Sequence, residues 1–245
     1  MLQGWRWRQP TQRRHVSQAV SGRWKVSRVL GELALIFLGI TSALWFEDLN
    51  QGRHQRRLET LILHEMSSAL VRDTVDLHIN IAVGDSVLGS VARVFAELQS
   101  SAAYPDELAM HFARSTRFVR FFHSPAAYEH LRSAGFDVIE NDALRQSIIS
   151  YYGGLVLVLM WVDENIVIKN WESLLRPQMM AKFEYDSYFT PAIPRSYASL
   201  REDVDYHNAL RVTANGLRGQ LDVTRRTLAA ADALLAGIED ELAGR

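Results

Sequence analysis

Three arginines at intervals of three, Arg114, Arg117 and Arg120, alternate with phenylalanines in the segment Arg114-Ser115-Thr116-Arg117-Phe118-Val119-Arg120-Phe121-Phe122-His123. Guanidinium forks beside aromatic faces can hold an anion or a lipid headgroup against an apolar wall. The competing reading is a helix whose phenylalanines are core and whose arginines are solvated. The eight histidines, at 15, 54, 64, 78, 111, 123, 130 and 207, give no HExxH and no Glu-x-x-His pair. A zinc-protease helix and a di-iron bundle both need those spacings. Asp203 with His207 and Glu107 with His111 are one helical turn apart, a spacing shared by metal sites and by ordinary solvated contacts. There is no cysteine, which excludes a disulfide framework and a thiol nucleophile. Gly84-Asp85-Ser86-Val87-Leu88 lacks the second glycine of a nucleophile elbow, and neither a P-loop nor a dinucleotide fingerprint occurs. The sequence therefore names no catalytic residue, no metal ligand and no cofactor.

The elements that must position these residues begin with a long apolar run. Val29 to Phe46 is eighteen residues with one charge, Glu32. As a helix it spans roughly 27 Å, close to a hydrocarbon core of about 30 Å. Trp24 and Trp45-Phe46 flank it where interfacial aromatics concentrate. Two other readings compete: a buried core helix, and a signal peptide cut after the small residues Thr41-Ser42-Ala43. Within the run Glu32, Ile36, Gly39 and Ala43 share one helical face. Gly39 and Ala43 have the small-x-x-x-small spacing through which two membrane helices approach, so Glu32, Gly39 and Ala43 form a candidate packing face. Glu32 also lies one turn after Arg28, which allows an interfacial ion pair instead.

Charge sets the orientation. The net charge is −1, yet residues 1–28 carry Arg6, Arg8, Arg13, Arg14, Arg23, Lys25 and Arg28 with no acid, leaving 20 basic and 28 acidic residues beyond. Seven cations precede the run, while Arg53, Arg56 and Arg57 follow it. That bias places the N-terminus in the cytoplasm and residues 47–245 on the other side of an inner membrane, in the periplasm. Anionic lipid accounts for the basic segment, and the acidic remainder argues against nucleic acid. The expected partners are the bilayer itself and a membrane protein or second copy.

The stretch Gly31-Glu32-Leu33…Leu38-Gly39-Ile40…Ala43-Leu44 resembles the anchor of domain-of-unknown-function family 6090, uncharacterised bacterial membrane proteins. Ala127-Tyr128-Glu129-His130-Leu131-Arg132-Ser133-Ala134-Gly135 is similar to the same family, as is Leu144-Arg145 followed by Tyr151-Tyr152. Trp45-Phe46-Glu47-Asp48 departs from the family, which tends to be Asn-rich before a Trp. The resemblance implies an inner-membrane protein with one N-terminal anchor and a helical domain, and it implies no activity.

The rest of the chain is read as helices. Prolines at 10, 105, 125, 177, 191 and 194 leave 11–104, 126–176 and 195–245 free of the strongest helix breaker. Leu58, Leu61, Ile62, Met66 and Ala69, then Val87, Leu88, Val91, Val94, Phe95 and Leu98, recur at helical spacing, with Gly84-Asp85 as a break between two helices. Ser124-Pro125 opens and Gly135 closes a short helix; Asn141 caps the next, which runs toward Leu175. Its apolar centre, Leu155 to Val162, is too short to span a bilayer and predicts a central, fully buried helix. Residues 177–196 predict a loop packed by aromatics, and Tyr197 onward a long helix. In that helix Leu221, Leu228, Leu235 and Leu242 alternate with Leu217, Thr224, Ala231 and Ile238 as a coiled-coil-like seam, expected to pack within the chain, with homodimerisation as the alternative. The expected fold is all-α: a basic segment over 1–28, a transmembrane helix over 29–46, and a helical bundle over 47–245 with a long C-terminal helix. The function expected is a binding, sensor-like or scaffolding module; an enzyme with a dispersed active site is the alternative.

Overall fold

The computed structural model describes residues 21–100 and 103–244. Arg6 to Arg14 of the basic segment lie outside the described residues, as do the side chains of Trp24 and Arg28, and with them the Arg28–Glu32 pair. The described residues are mostly helical: α1 (Ser21–Gln99), α2 (Leu108–Arg114), α3 (Ala126–Ala134), α4 (Asp142–Lys182), α5 (Tyr197–Arg201) and α6 (Val204–Ala243). Among the described residues two strands of two residues each pair, β1 (Phe183–Glu184) antiparallel to β2 (Ile193–Pro194), with Phe183 opposite Pro194. The chain divides between His54 and Gln55 into two units.

In the first unit the described side chains of residues 32–47 are all exposed. Leu35, Phe37 and Phe46 are 71%, 72% and 73% exposed, and successive apolar residues cover every side of the helix. Thr41 and Ser42 turn their hydroxyls back to the carbonyls of Phe37 and Gly39, so neither presents an unsatisfied donor.

The second unit is a bundle of α1 (from residue 55), α4 and α6. Ile62 to Leu77 of α1 share one core with Leu144 to Leu159 of α4 and Val223 to Ile238 of α6. Val91 to Leu98 share another with Leu175 and Met179 of α4 and Tyr206 to Ala214 of α6. Between them Val87, Val119, Leu217 and Leu221 form a small third cluster. The order of these contacts makes α4 parallel to α1 and α6 antiparallel to both. Two parallel neighbours need a return crossing, which residues 115–125 provide, running from α2 at one end to α3 at the other.

Caps and breakers explain the element ends. Asn141 Oδ1 accepts the Ala143 and Leu144 N–H groups at 3.0 and 3.2 Å, opening α4. Gly135, at φ +96°, closes α3 in a conformation that an L side chain rarely adopts. Asp203 accepts the Tyr206 N–H at 3.0 Å and opens α6, so the expected single C-terminal helix is interrupted after Arg201.

Three expectations are corrected. Gly84-Asp85 does not break α1; a Cβ on Gly84 would lie 2.6 Å from Leu221 Cδ2, so the glycine serves a close helix crossing rather than a turn. Pro177 does not end α4, because a π-helical turn over Trp171–Leu175 passes the Arg176 N–H to the Trp171 carbonyl and puts Pro177 in a new first turn, where a missing N–H is tolerated. Nor is α4 fully buried: Leu157, Val158 and Trp161 face outward, Trp161 58% exposed. By length and composition alone α4 as a whole is long and apolar enough to cross a membrane, although its eight-residue apolar centre by itself is too short. Its other face supplies Ile148, Tyr151, Leu159, Leu175 and Met179 to both cores.

Candidate functional site

The arginine-phenylalanine segment is helical only to Arg114. Ser115 and Thr116 turn the chain, their hydroxyls donating to the Phe112 and Ala113 carbonyls, and residues 117–125 then run without regular secondary structure. Burial alternates: Val119 and Phe121 are buried, Arg120 and Phe122 exposed. An extended strap inside a helical bundle has no neighbouring strand, so its buried backbone groups need other partners.

Side chains from all three long helices supply them. Gln220 of α6 donates to the Val119 carbonyl at 2.9 Å and Asn80 of α1 to the Arg120 carbonyl at 3.0 Å. Asp163 of α4 accepts the Phe121 N–H at 2.8 Å; Asp76 and Asp73 of α1 accept those of Phe122 and Ser124 at 3.2 and 2.9 Å. Gln220 also donates to Asp163 Oδ1, tying α6 to α4 behind the strap. Asp163 and Asp73 are each 1% exposed. Burial pushes the Asp163 carboxyl above the usual range, against the hydrogen bonds from Phe121 and Gln220 that favour its charged form. Asp73 is raised for the same reason, opposed by its bond to Ser124. The π-helical turn over Asp163–Ile168 begins at the clamping carboxylate.

The strap separates the three arginines. Arg120 turns toward Glu164, 3.6 Å away, and lies 5.5 Å from the Phe122 ring centre. Arg114 and Arg117 instead line one recess of about 190 Å³ with Val83, Val87, Met110, Tyr188 and Phe189. Arg117 stands 5.5 Å over the Tyr188 ring, and Tyr188 packs against Phe189 with ring centres 4.3 Å apart. The loop bearing both rings is fastened at each end: the Tyr185 hydroxyl meets Thr116 Oγ1 at 2.9 Å, and the Ala192 N–H donates to the Ala109 carbonyl at 2.9 Å. Those anchor points lie on the elements that carry Arg114 and Arg117. The recess is thus set before any ligand arrives.

The remaining sequence candidates are dispersed. Glu32, Gly39 and Ala43 are exposed on the first unit's helix, and a Cβ on Gly39 would meet nothing within 4 Å. Asp203 caps α6 and pairs with Lys182; burial raises its carboxyl, but the Lys182 and Tyr206 hydrogen bonds and the Lys182 charge outweigh this and hold it low. His207 approaches the Leu200 carbonyl at 3.1 Å, and His111 approaches Ser90 Oγ at 3.3 Å while Glu107 meets Arg93. Among the described residues no group of three or more His, Asp or Glu has the arrangement of a metal site. Sequence reasoning missed Asp73, Asp76, Asn80, Asp163 and Gln220. The available signal was polar residues in core register: Asp73 falls between Leu70 and Leu77, and Gln220 beside Leu221. It also missed Tyr188 and Phe189 as partners of the arginines, since nothing local joins positions so far apart.

The chain matches no family model, no curated protein and no solved structure.

Proposed function

We propose that this protein is a single-pass membrane protein in which residues 29–46 cross the bilayer and the helical unit from Gln55 onward acts as a binding module on the extracytoplasmic side. The carrying observation is the apolar, fully exposed surface of residues 33–46, where nine large hydrophobics from Leu33 to Phe46 are each more than half exposed. A helix apolar all round needs a nonpolar surrounding, and in water that surface would be costly. The basic residues before it and the interfacial Trp45 are consistent with a helix anchored at both interfaces, N-terminus inside. The likeness of Gly31 to Leu44 to family 6090 agrees with this placement and rests on those residues alone. The exposed face of Glu32, Gly39 and Ala43 offers a second helix a close approach in the bilayer, either another copy or a membrane protein partner. A binding role is supported by the fastened loop, in which Tyr185 on Thr116 and Ala192 on Ala109 hold Tyr188 and Phe189 beside Arg114 and Arg117 in one recess.

A reporter active only outside the cytoplasm, fused after Arg245, is expected to be active and to stay with membranes through an alkaline wash. A stably expressed but inactive fusion would overturn the orientation, and release by the wash would overturn the anchor.

A further inference from the structure

We propose that the recess between Arg114, Arg117, Tyr188 and Phe189 binds a small acid, one oxyanion group carried on an aromatic ring or a short apolar stem. This names the ligand class of the binding module and rests on that reading, but not on the membrane placement. Size sets the first limit. A cavity of about 150 Å³ accommodates benzene, so about 190 Å³ has room for one ring with its anionic group.

Charge sets the second. No carboxylate lines the recess, and among the described residues neither Arg114 nor Arg117 has an acidic partner within 4 Å. Arg93 is paired with Glu97 and Glu107, Arg120 with Glu164 and Arg225 with Asp85, whereas Arg114 and Arg117, like Arg176, Arg211 and Arg218, have no such ion pair among the described residues. What sets Arg114 and Arg117 apart is that both line one recess. Two guanidiniums three residues apart, one at the end of α2 and one past a turn, reach the same recess from different elements. Carboxylate and phosphate oxygens both match such forks.

The apolar wall sets the third. Val83 and Val87 come from α1, Met110 from α2 and the two rings from the fastened loop. Phe189 is 73% exposed at the rim, next to a Tyr188 ring already facing a cation. A ligand ring placed there gains contact with Phe189, while its anionic group reaches the arginines. Inorganic phosphate satisfies only the charge and benzyl alcohol only the wall, so neither should bind as well as a molecule combining both.

Titration calorimetry on the full chain in nonionic detergent, with benzoate and phenyl phosphate as probes, tests this. At least one aromatic anion is expected to bind saturably, about tenfold or more tighter than inorganic phosphate or benzyl alcohol. Which one binds better identifies the carboxylate or the phosphate as the preferred oxyanion. The double variant Arg114→Gln/Arg117→Gln should weaken binding at least tenfold, and Phe189→Ala should weaken it several-fold. Arg218→Gln, on an exposed face of α6, should change nothing. Absence of saturable binding in the folded protein overturns the inference and leaves the membrane reading standing. Binding unaffected by the double variant, or inorganic phosphate binding as tightly as phenyl phosphate, overturns it too.

Discussion

Helix α6 meets the rest of the bundle in two chemically opposite regions. Along its seam Leu217, Leu221, Thr224, Ala231 and Ile238 are buried, with Leu228, Leu235 and Leu242 half-buried against the same cores. Around Gln220 it meets the strap, where the Gln220 amide donates to the Val119 carbonyl and to Asp163, whose carboxylate in turn accepts the Phe121 N–H. Apolar contact is undirected and forgives a small shift, whereas the strap's bonds each fix one atom against another. The seam stabilises the bundle. The strap fixes the register in which Arg117 is presented to the recess.

The strongest break of that contrast is in the seam. Leu221 is fully buried and rests on Gly84, where a Cβ on the glycine would clash with it. Leu221→Asp puts an unpaired carboxylate there and is expected to destabilise by about 4 kcal/mol. Denaturant unfolding of the full chain in detergent should show a midpoint lowered equally at every protein concentration, as intrachain packing requires. A midpoint that recovers on raising the concentration would instead make the seam a contact between copies.

A weaker break is expected in the strap. Asp163→Asn keeps one acceptor but turns an NH2 toward either the Phe121 N–H or the Gln220 amide, costing about 2 kcal/mol. Its pH dependence is more telling than its size. Burial holds the Asp163 pKa above the unfolded value near 3.8, so the folded state takes up the proton first. The stabilisation from that uptake is complete below pH 3.8 and is lost as pH rises through the folded pKa. The gap between wild type and Asp163→Asn should therefore widen as pH falls from 7 toward 4. A gap that narrows would mean the carboxylate is held by charge pairing, with burial secondary.

The contrast also marks what the sequence made legible. The seam repeats every seven residues, and periodicity is a local property, so Leu217 to Leu242 could be read without a structure. The register did not show that a further row, Gln220, Thr227 and Leu234, is buried too. α6 packs on α1 and α4 together and needs a wider buried face than a two-helix seam. The caps at Asn141 and Gly135 were legible because each acts within a few residues. The strap was not. Its partners lie 40 to 101 residues away in the chain, and Asp73, Asp76 or Gln220 alone looks like a solvated helix residue. Gly84 misled for a related reason: a glycine at a helix crossing and a glycine at a helix break look alike until the crossing partner is known. The arginine triplet was legible as a composition but not as a site, because the chain turns after Arg114 and Tyr188 arrives from elsewhere.

The smallest expected effect tests whether the polar chemistry stops at the strap. Tyr151 and Tyr152 of α4 lie in the core nearest α3, both buried, their rings edge to face with centres 4.8 Å apart. Neither hydroxyl has a hydrogen-bond partner among the described residues, nor does Asp73 Oδ2, the free oxygen of a strap-clamping carboxylate. Burial raises both tyrosine pKa values, with the Asp73 charge adding to it, so both stay protonated and keep a donor to place. If the seam is chemically separate from the strap, Tyr151→Phe removes a desolvated hydroxyl and keeps the ring packing. It should then stabilise by about 1 kcal/mol, raising the Tm by about 2–4 °C. The double variant with Asp73→Asn should show additive effects. A Tyr151→Phe protein that melts lower, with its loss abolished in the Asp73→Asn background, would join the two regions: a buried water would then bridge the tyrosine to Asp73, and the clamp would extend through the carboxylate into the core.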